Sequence, residues 1–501
     1  MTRPHGDALP PRYTIRKVSS LQFQIPMSSN TTSSNISEAR VPGFWPSLRE
    51  AVMGSSQDFT EGTIGRAIVL LAVPMVLEMI IESLFGVVDV FWVAHLGADA
   101  ITTVGLTETC LTVVFVIALG LSMGATAMVA RRIGEKDEAA AGLVAVQAIV
   151  VGLVVSMISA AIGYFYAADL LRLMGATENV VKLGTGYTRM IFGGSATIFL
   201  LFLINAVFRG AGDAAVAMRV LWLANIVNIC LNPCLIFGVG PFPRLGVTGS
   251  AVGTTIGRGI GVAFQLWILM SGRGRFVIRA PQVRLDFAVM ARMIRLSLTA
   301  IFQYMVQMAS WIGVVRIIAS FGSAAAAANT LAIKIIIFAI LPSWGMSNAA
   351  ATLVGQNLGA GKPERAELAV WRTGFYNMLF LGAVGLIFIA FAERIIGLFT
   401  HDPAVFPIAV SGLRLLAFGN ISYAYGMVVT AAFNGAGDTF TPTILNLVCF
   451  WVCQIPVAWL LAFHTSLGPR GAFISVVLSD SLLALLGIVW FRRGTWKGTV
   501  V

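Results

Sequence analysis

Apolar residues along this chain gather in twelve long runs, each of roughly the 20 residues that a helix needs to cross the hydrocarbon of a bilayer. Six runs occupy 64–95, 101–130, 140–166, 186–208, 217–239 and 247–271, and six more occupy 290–320, 326–355, 366–391, 408–433, 440–464 and 471–491. The pattern predicts an all-α integral membrane protein of twelve transmembrane helices, with little chain left for a soluble domain. Two polar stretches break the rhythm. Residues 1–62 are rich in Ser, Thr and Pro and are expected to form a disordered tail. Residues 272–287, within SGRGRFVIRAPQVRLDF, form a basic connection between the sixth and seventh runs. The expected domains are therefore an N-terminal six-helix lobe over 63–271, a C-terminal six-helix lobe over 288–491 and a short tail over 492–501.

The two lobes read as copies of one unit. RGAGD (209–213) and NGAGD (434–438) lie 225 positions apart, and Gly97 pairs with Gly322, Gly120 with Gly345 and Gly134 with Gly359 at the same offset. A register held from 97 to 213 without a slip marks an internal duplication. Because six is even, both copies enter the membrane from the same side, which predicts parallel repeats related by an axis along the membrane normal. Two such lobes leave a cleft between them that can open to either side in turn. This is the architecture of a two-lobed transporter.

The chain is 57% apolar and 11% charged, with a formal net charge of +11. That excess does not mark a nucleic-acid partner, because the basic residues fall in alternate connections. Arg131, Arg132, Lys136, Arg273, Arg275, Arg279, Arg284, Arg292, Arg295, Lys362, Arg365, Arg492, Arg493 and Lys497 share one side. Only Arg172, Lys182, Arg244, Arg394 and Arg470 fall on the other. The positive-inside rule places the richer side, and with it both termini, in the cytoplasm. Cys110, Cys230, Cys234, Cys449 and Cys453 lie in apolar runs and read as small core residues. The four histidines show no ligand spacing, so neither a metal site nor a cofactor is expected.

Helix 1 carries three acids, Glu78, Glu82 and Asp89. Steps of four and eleven residues leave them within about 40° of one another on a helix. A charged side chain at mid-membrane costs about 3 kcal/mol on insertion scales, so this face must look into a cavity or at polar partners. Its carboxylates are candidates to take up and release a proton or a cation. Pro74, one turn before Glu78, interrupts the hydrogen-bond ladder and is a candidate hinge. At the 225 offset Glu78 falls on Gln303, Glu82 on Gln307 and Asp89 on Val314, so the second lobe lacks these acids. Asn225, Asn228 and Asn232 recur beside Pro233 in the fifth run; such amides relay hydrogen bonds, coordinate a cation, or simply tie helices together. Glu108 and Lys334, nearly equivalent in the two copies, are candidates for an ion pair across the cleft.

Four segments, in order on this 6+6 chain, resemble the multidrug and toxic compound extrusion transporters: LAVPMVLEMIIESLFGVVDVFWVAHLG (71–97), NICLNPCLIFGVGPFPRLGVTGSAVGTT (228–255), LVGQNLGAGKPERA (353–366) and GAGDTFTPTILNL (435–447). The resemblance covers residues 64–491 and implies a V-shaped pair of lobes that exports organic cations against inward proton or sodium flow. The family's helix 1 acid matches Asp89, and its proline matches Pro74. In the branch that works through the first lobe, this acid is linked to polar groups matched here by Tyr187, Asn205, Asn228 and Thr254. A second acid expected on helix 5 is replaced by Asn232, with Glu82 or Glu78 available to compensate. In another branch an acid on helix 7 binds the cation; here that position is Gln307, and helix 10 supplies no carboxylate instead. The chain thus resembles the first-lobe, proton-using type.

The function expected is a monomeric plasma-membrane antiporter, embedded in membrane lipid, that exports small organic cations or drug-like amphiphiles on a proton gradient, with sodium as the second choice. Protonation of Asp89, assisted by Glu82, would bend helix 1 and release substrate from a permissive cavity lined by Phe85, Gln303, Tyr304, Met305, Gln307 and Trp311. The alternative is a lipid or lipid-linked oligosaccharide flippase, which favours an arginine-rich cavity for phosphates; the acidic helix 1 counts against it. A membrane-embedded enzyme lacks any nucleophile–base constellation here. The basic loop signature of the major facilitators is not matched by ARRIGEKDEAA (130–140).

Overall fold

The computed structural model describes residues 44–55 and 57–501, and each of the twelve apolar runs is a helix. In chain order these are α1 (Ile64–Ala94), α2 (Ala98–Gly134), α3 (Glu138–Phe165), α4 (Glu178–Ala211), α5 (Ala214–Phe237), α6 (Val247–Ser271), α7 (Phe287–Ala319), α8 (Ser323–Gly359), α9 (Pro363–Gly397), α10 (Phe406–Ala436), α11 (Phe440–Phe463) and α12 (Pro469–Arg492). Among the described residues there is no strand, as a bilayer demands of a chain that is not a closed barrel. Several helices outrun their apolar stretches. α4, for example, starts at Glu178 rather than near 186. Hydropathy marks only the lipid-crossing part, whereas the backbone ladder continues until a cap ends it. Asp137 caps α3 by accepting from the Ala140 amide at 2.8 Å, and Asp286 opens α7 by accepting from Ala288 and Val289 at 3.1 Å. α11 widens into π-helical turns over Leu447–Gln454, two residues before Pro456.

The duplicated glycines mark where the copies meet. α1 packs on α8 and α7 on α2, so the first helix of each copy lies across the second helix of the other. A Cβ on Gly345 of α8 would stand 2.7 Å from the Met75 carbonyl oxygen of α1, and one on Gly120 of α2 would stand 2.7 Å from the Ile301 backbone nitrogen of α7. Further along the same helices, a Cβ on Gly134 would meet the Gln356 backbone and one on Gly359 the Arg131 backbone. The contacts correspond at the 225-residue offset: Val76, whose backbone nitrogen a Cβ on Gly345 would also meet, answers to Ile301, and Arg131 to Gln356. Gly212 and Gly437, both at φ +88°, end α4 and α10 in the left-handed turn that glycine adopts without strain. Gly359→Val is therefore expected to wedge α2 from α8. Overpacking of this kind costs about 1–3 kcal/mol, and more against rigid backbone. Lower yield of monodisperse protein and a lower melting temperature in detergent are the expected outcome; wild-type behaviour on both would refute a tight seam.

Each lobe keeps an apolar core of its own. The first forms around Phe199, Ile204 and Phe208, the second around Ile396, Leu413 and Phe473. The seam between them is polar at one end. Thr352 and Gln356 of α8 donate to the Arg209 and Gly210 carbonyls at the end of α4, at 3.0 and 2.9 Å.

Both polar ends of the chain have ordered parts, which at the N-terminal end departs from the expected disorder. Residues 1–43, most of the expected disordered tail, lie outside the described residues. Within the remainder, Phe44–Met53 is a helix packed on α1 and α5, with Glu50 paired to Arg66 at 2.6 Å. The Ser55 hydroxyl, donating to Glu50 Oε1, and the Arg66 guanidinium hold the Glu50 carboxyl below its ordinary value despite partial burial. The loop that follows is held by basic residues of the inter-lobe connection and of the second lobe. Arg275 donates to the carbonyls of Ser55 (3.1 Å) and Gln57 (2.5 Å), Lys362 to Thr60 (3.0 Å), and Arg365 to Glu61 (2.7 Å) and Gly62 (2.9 Å). At the other end, Trp496 is fully buried and stacks on Phe491 at 4.5 Å. Arg131 and Arg132 of α2 donate to the carbonyls of Thr499 (2.5 Å) and Val501 (2.8 Å). Composition misses such order because it comes from arginines more than 200 positions away in sequence.

Candidate functional site

Asp89 lies near the end of α1, where α5 and α6 pass beside it. It is 7% exposed. Its Oδ1 accepts from Asn232 Nδ2 of α5 at 2.7 Å and from Ser250 Oγ of α6 at 2.8 Å. Asn232 Nδ2 also donates to Asn228 Oδ1 at 3.1 Å, and Asn228 Nδ2 to Thr254 Oγ1 at 2.8 Å. A chain of side chains therefore runs from α1 through α5 to α6, bringing together four residues singled out in the sequence. Helical spacing on α5 does the positioning: Asn228 and Asn232 are one turn apart and face one way. Gly253 makes room, since a Cβ there would strike Asn232 Oδ1. Tyr187 is buried beside this cluster, close enough to feel the charges of Asp89, Glu108 and Arg258, but donates no hydrogen bond to Asp89.

Glu78 belongs to a second, separate station. It is 1% exposed, and its Oε1 accepts from Arg209 Nη1 of α4 at 2.7 Å and from Asn205 Nδ2 at 3.4 Å. Asn205 Oδ1 in turn accepts from Gln265 Nε2 of α6 at 2.7 Å. Asn205, expected beside Asp89, is thus placed on Glu78. Glu82 lies half-buried between the stations and makes no hydrogen bond or ion pair with the described residues. The three acids share a helix face as their spacing requires, but not one site. Pro74 is buried in α1 one turn before Glu78, within a helix that continues through it. Glu108 and Lys334 form no ion pair; the charges acting on Glu108 are those of Asp89 and Arg258.

Four of the six expected cavity residues meet in the second lobe. Gln303, Tyr304, Gln307 and Trp311 of α7 line one cavity of about 350 Å³, closed by α8, α10, α11 and α12 and, from the first lobe, by Met123 of α2. Of the other expected wall residues, Met305 lines an apolar groove against α2 and α3 instead, and Phe85 is on neither wall. Three charged residues were missed. Arg209 was read only as part of a repeat motif. Arg258 stands within GTTIGRGIGV (253–262), and Asp480 is the one acid of α12 and lines the cavity. The signal for the last two was available, since each is a lone charge inside an apolar run.

Twelve spanning helices in two duplicated lobes, with carboxylates held inside them, define a polytopic membrane transporter. The MatE family model matches residues 74–234 and 296–460, one match per lobe, and the chain belongs to this multidrug and toxic compound extrusion family. It is 28% identical over 444 residues to a protein named probable multidrug resistance protein NorM from Thermotoga maritima, covering 87% of this chain and 94% of the relative. It is 22% identical to an FAD transporter of Shewanella oneidensis, covering 84% and 93% of the two chains. Among solved structures, an outward-facing conformation of a multidrug resistance MATE family transporter superposes with a TM-score of 0.81 at 27% identity, covering 88% of this chain and 98% of that one.

Proposed function

We propose that this protein is a secondary antiporter that exports organic cations or drug-like amphiphiles across the plasma membrane, driven by inward proton flow through Asp89. Both termini lie in the cytoplasm in this reading, supported by the one-sided distribution of basic connections, and the monomer is the working unit. The observation that carries it is the bonding around Asp89. The groups that touch its Oδ1 are donors, an amide N–H and a hydroxyl. A hard cation such as sodium instead seeks converging oxygen lone pairs. Asn232 Oδ1, by contrast, is buried without a partner. A protonated carboxyl is a donor and offers that acceptor what the carboxylate cannot. Protonation then changes which hydrogen bonds tie α1 to α5, and Pro74 lets α1 respond, because the ladder is already interrupted there.

The names of the relatives favour drug-like cargo, and the acids of α1 favour a cationic one over the phosphate of a lipid-linked sugar. The reading is tested in proteoliposomes with pH and sodium gradients imposed separately. Ethidium export is expected to follow the proton gradient and to ignore sodium. Export that follows sodium alone would overturn the ion assignment.

A further inference from the structure

The second lobe holds a chamber where the first holds a salt bridge. At the 225 offset Glu78 corresponds to Gln303, Arg209 to Asn434 and Asn205 to Thr430. In the first lobe the three side chains bond to one another and fill the space. In the second all three line the cavity of about 350 Å³. Its polar atoms are left unpaired. Gln303 Oε1, Asn420 Nδ2, Asn446 Oδ1 and both amide atoms of Asn434 are buried without a hydrogen-bond partner, on side chains no more than 3% exposed. An unmade buried hydrogen bond costs about 1–3 kcal/mol, so several converging on one chamber indicate a ligand position rather than packing.

Asp480 enters the same chamber from α12. It makes no hydrogen bond or ion pair with the described residues, and no Lys, Arg or His lines the cavity to balance it. The titratable side chains close enough to feel it are Tyr423 and Cys449, neither of them a cation. The walls are Trp311, Trp344, Tyr304, Tyr423, Met308 and Met427. Aromatic faces and thioethers suit a flat, polarisable, positively charged guest. The volume exceeds the roughly 30 Å³ of a single water or ion by an order of magnitude. A cavity of this size, mostly apolar with a few convergent polar groups, is built for a small organic molecule.

We propose that the second-lobe cavity binds an aromatic organic monocation, with Asp480 as its counter-charge and Gln303, Asn420, Asn434 and Asn446 as its hydrogen-bonding frame. The site rests on the reading of the protein as an exporter of organic cations, and it separates the cargo, in the second lobe, from the coupling acid Asp89 in the first.

The test is equilibrium binding of ethidium to the purified full chain in detergent, with no gradient, alongside its uncharged relative 6-phenylphenanthridine. Asp480→Asn should weaken ethidium binding by about tenfold or more, the scale of one lost charge contact, and leave the neutral probe unchanged. Neutral-probe binding also reports that the variant is folded. Trp344→Ala should weaken both probes. Asn434→Arg, which brings a positive charge into the chamber, should abolish ethidium binding. Equal ethidium affinity in wild type and Asp480→Asn, or no binding to wild type, overturns the site. If binding depends on Asp480 but export ignores both ion gradients, the site stands and the antiport reading falls.

Discussion

Asp89→Asn is expected to reduce gradient-driven ethidium export to the level of protein-free vesicles, while the purified protein keeps its melting temperature. The two halves of this expectation have different physical grounds. Asn and Asp are nearly isosteric, and both hydrogen bonds that Asp89 makes go to Oδ1. An amide oxygen accepts from Asn232 and Ser250 as the carboxylate does, so the ties to α5 and α6 survive. What is lost is the change of state. A carboxyl alternates between acceptor-only and donor forms, and the partnerless Asn232 Oδ1 is satisfied by only one of them. An amide has a single form, so α1 has no reason to alternate between arrangements, and a ligand shifts an equilibrium only by its differential affinity for the two states. Export near the wild-type rate in Asp89→Asn would sink the mechanism. A protein that no longer melts cooperatively would show the residue to be structural.

The scaffold was legible in the sequence because its two determinants are periodic and local. Apolar length sets each span, and the 225-residue echo sets the pairing of copies. The repeated glycines announced a close approach without saying of what. The structure shows that Gly120, Gly134, Gly345 and Gly359 form the seam between copies, a partner choice that spacing within one helix cannot encode. The site was legible in part. Spacing put Asn228 and Asn232 on one face of α5, and the α7 residues from Gln303 to Trp311 on one cavity wall. Spacing also suggested that Glu78, Glu82 and Asp89 act together. They do share a face, but over the 16 Å or so of rise between Glu78 and Asp89 that face passes from α4 to α5 and α6, so each acid has different neighbours. Asp480 carries the same signal as the acids of α1, a charge inside an apolar run whose image in the other copy, here Thr255, is neutral.

That asymmetry supplies an internal control for the second large prediction. Glu78→Gln is expected to destabilise the folded protein by about 3–5 kcal/mol, the range seen when one partner of a buried ion pair is removed. Glu78 and Arg209 have side chains only 1% and 12% exposed, so water cannot replace the lost partner. The loss comes mainly from leaving the Arg209 guanidinium uncompensated, not from any large net contribution of the pair, because desolvation offsets most of its attraction. The second lobe shows what the scaffold tolerates instead. Gln303 and Asn434 occupy the same two places as neutral amides, both no more than 3% exposed, within a helical frame that folds. Glu78→Gln combined with Arg209→Asn should therefore recover much of the stability lost in the single variant, since no buried charge is left unpaired. Melting temperatures of the three proteins in one detergent should fall in the order wild type, double variant, single variant. If the single variant melts with wild type, the pair lies in wet surroundings and does not seal the first lobe. If the double variant is no better than the single, the destabilisation comes from lost shape rather than stranded charge. The predicted order instead fits a lobe closed by an ion pair at the place where its copy stays open around Asp480.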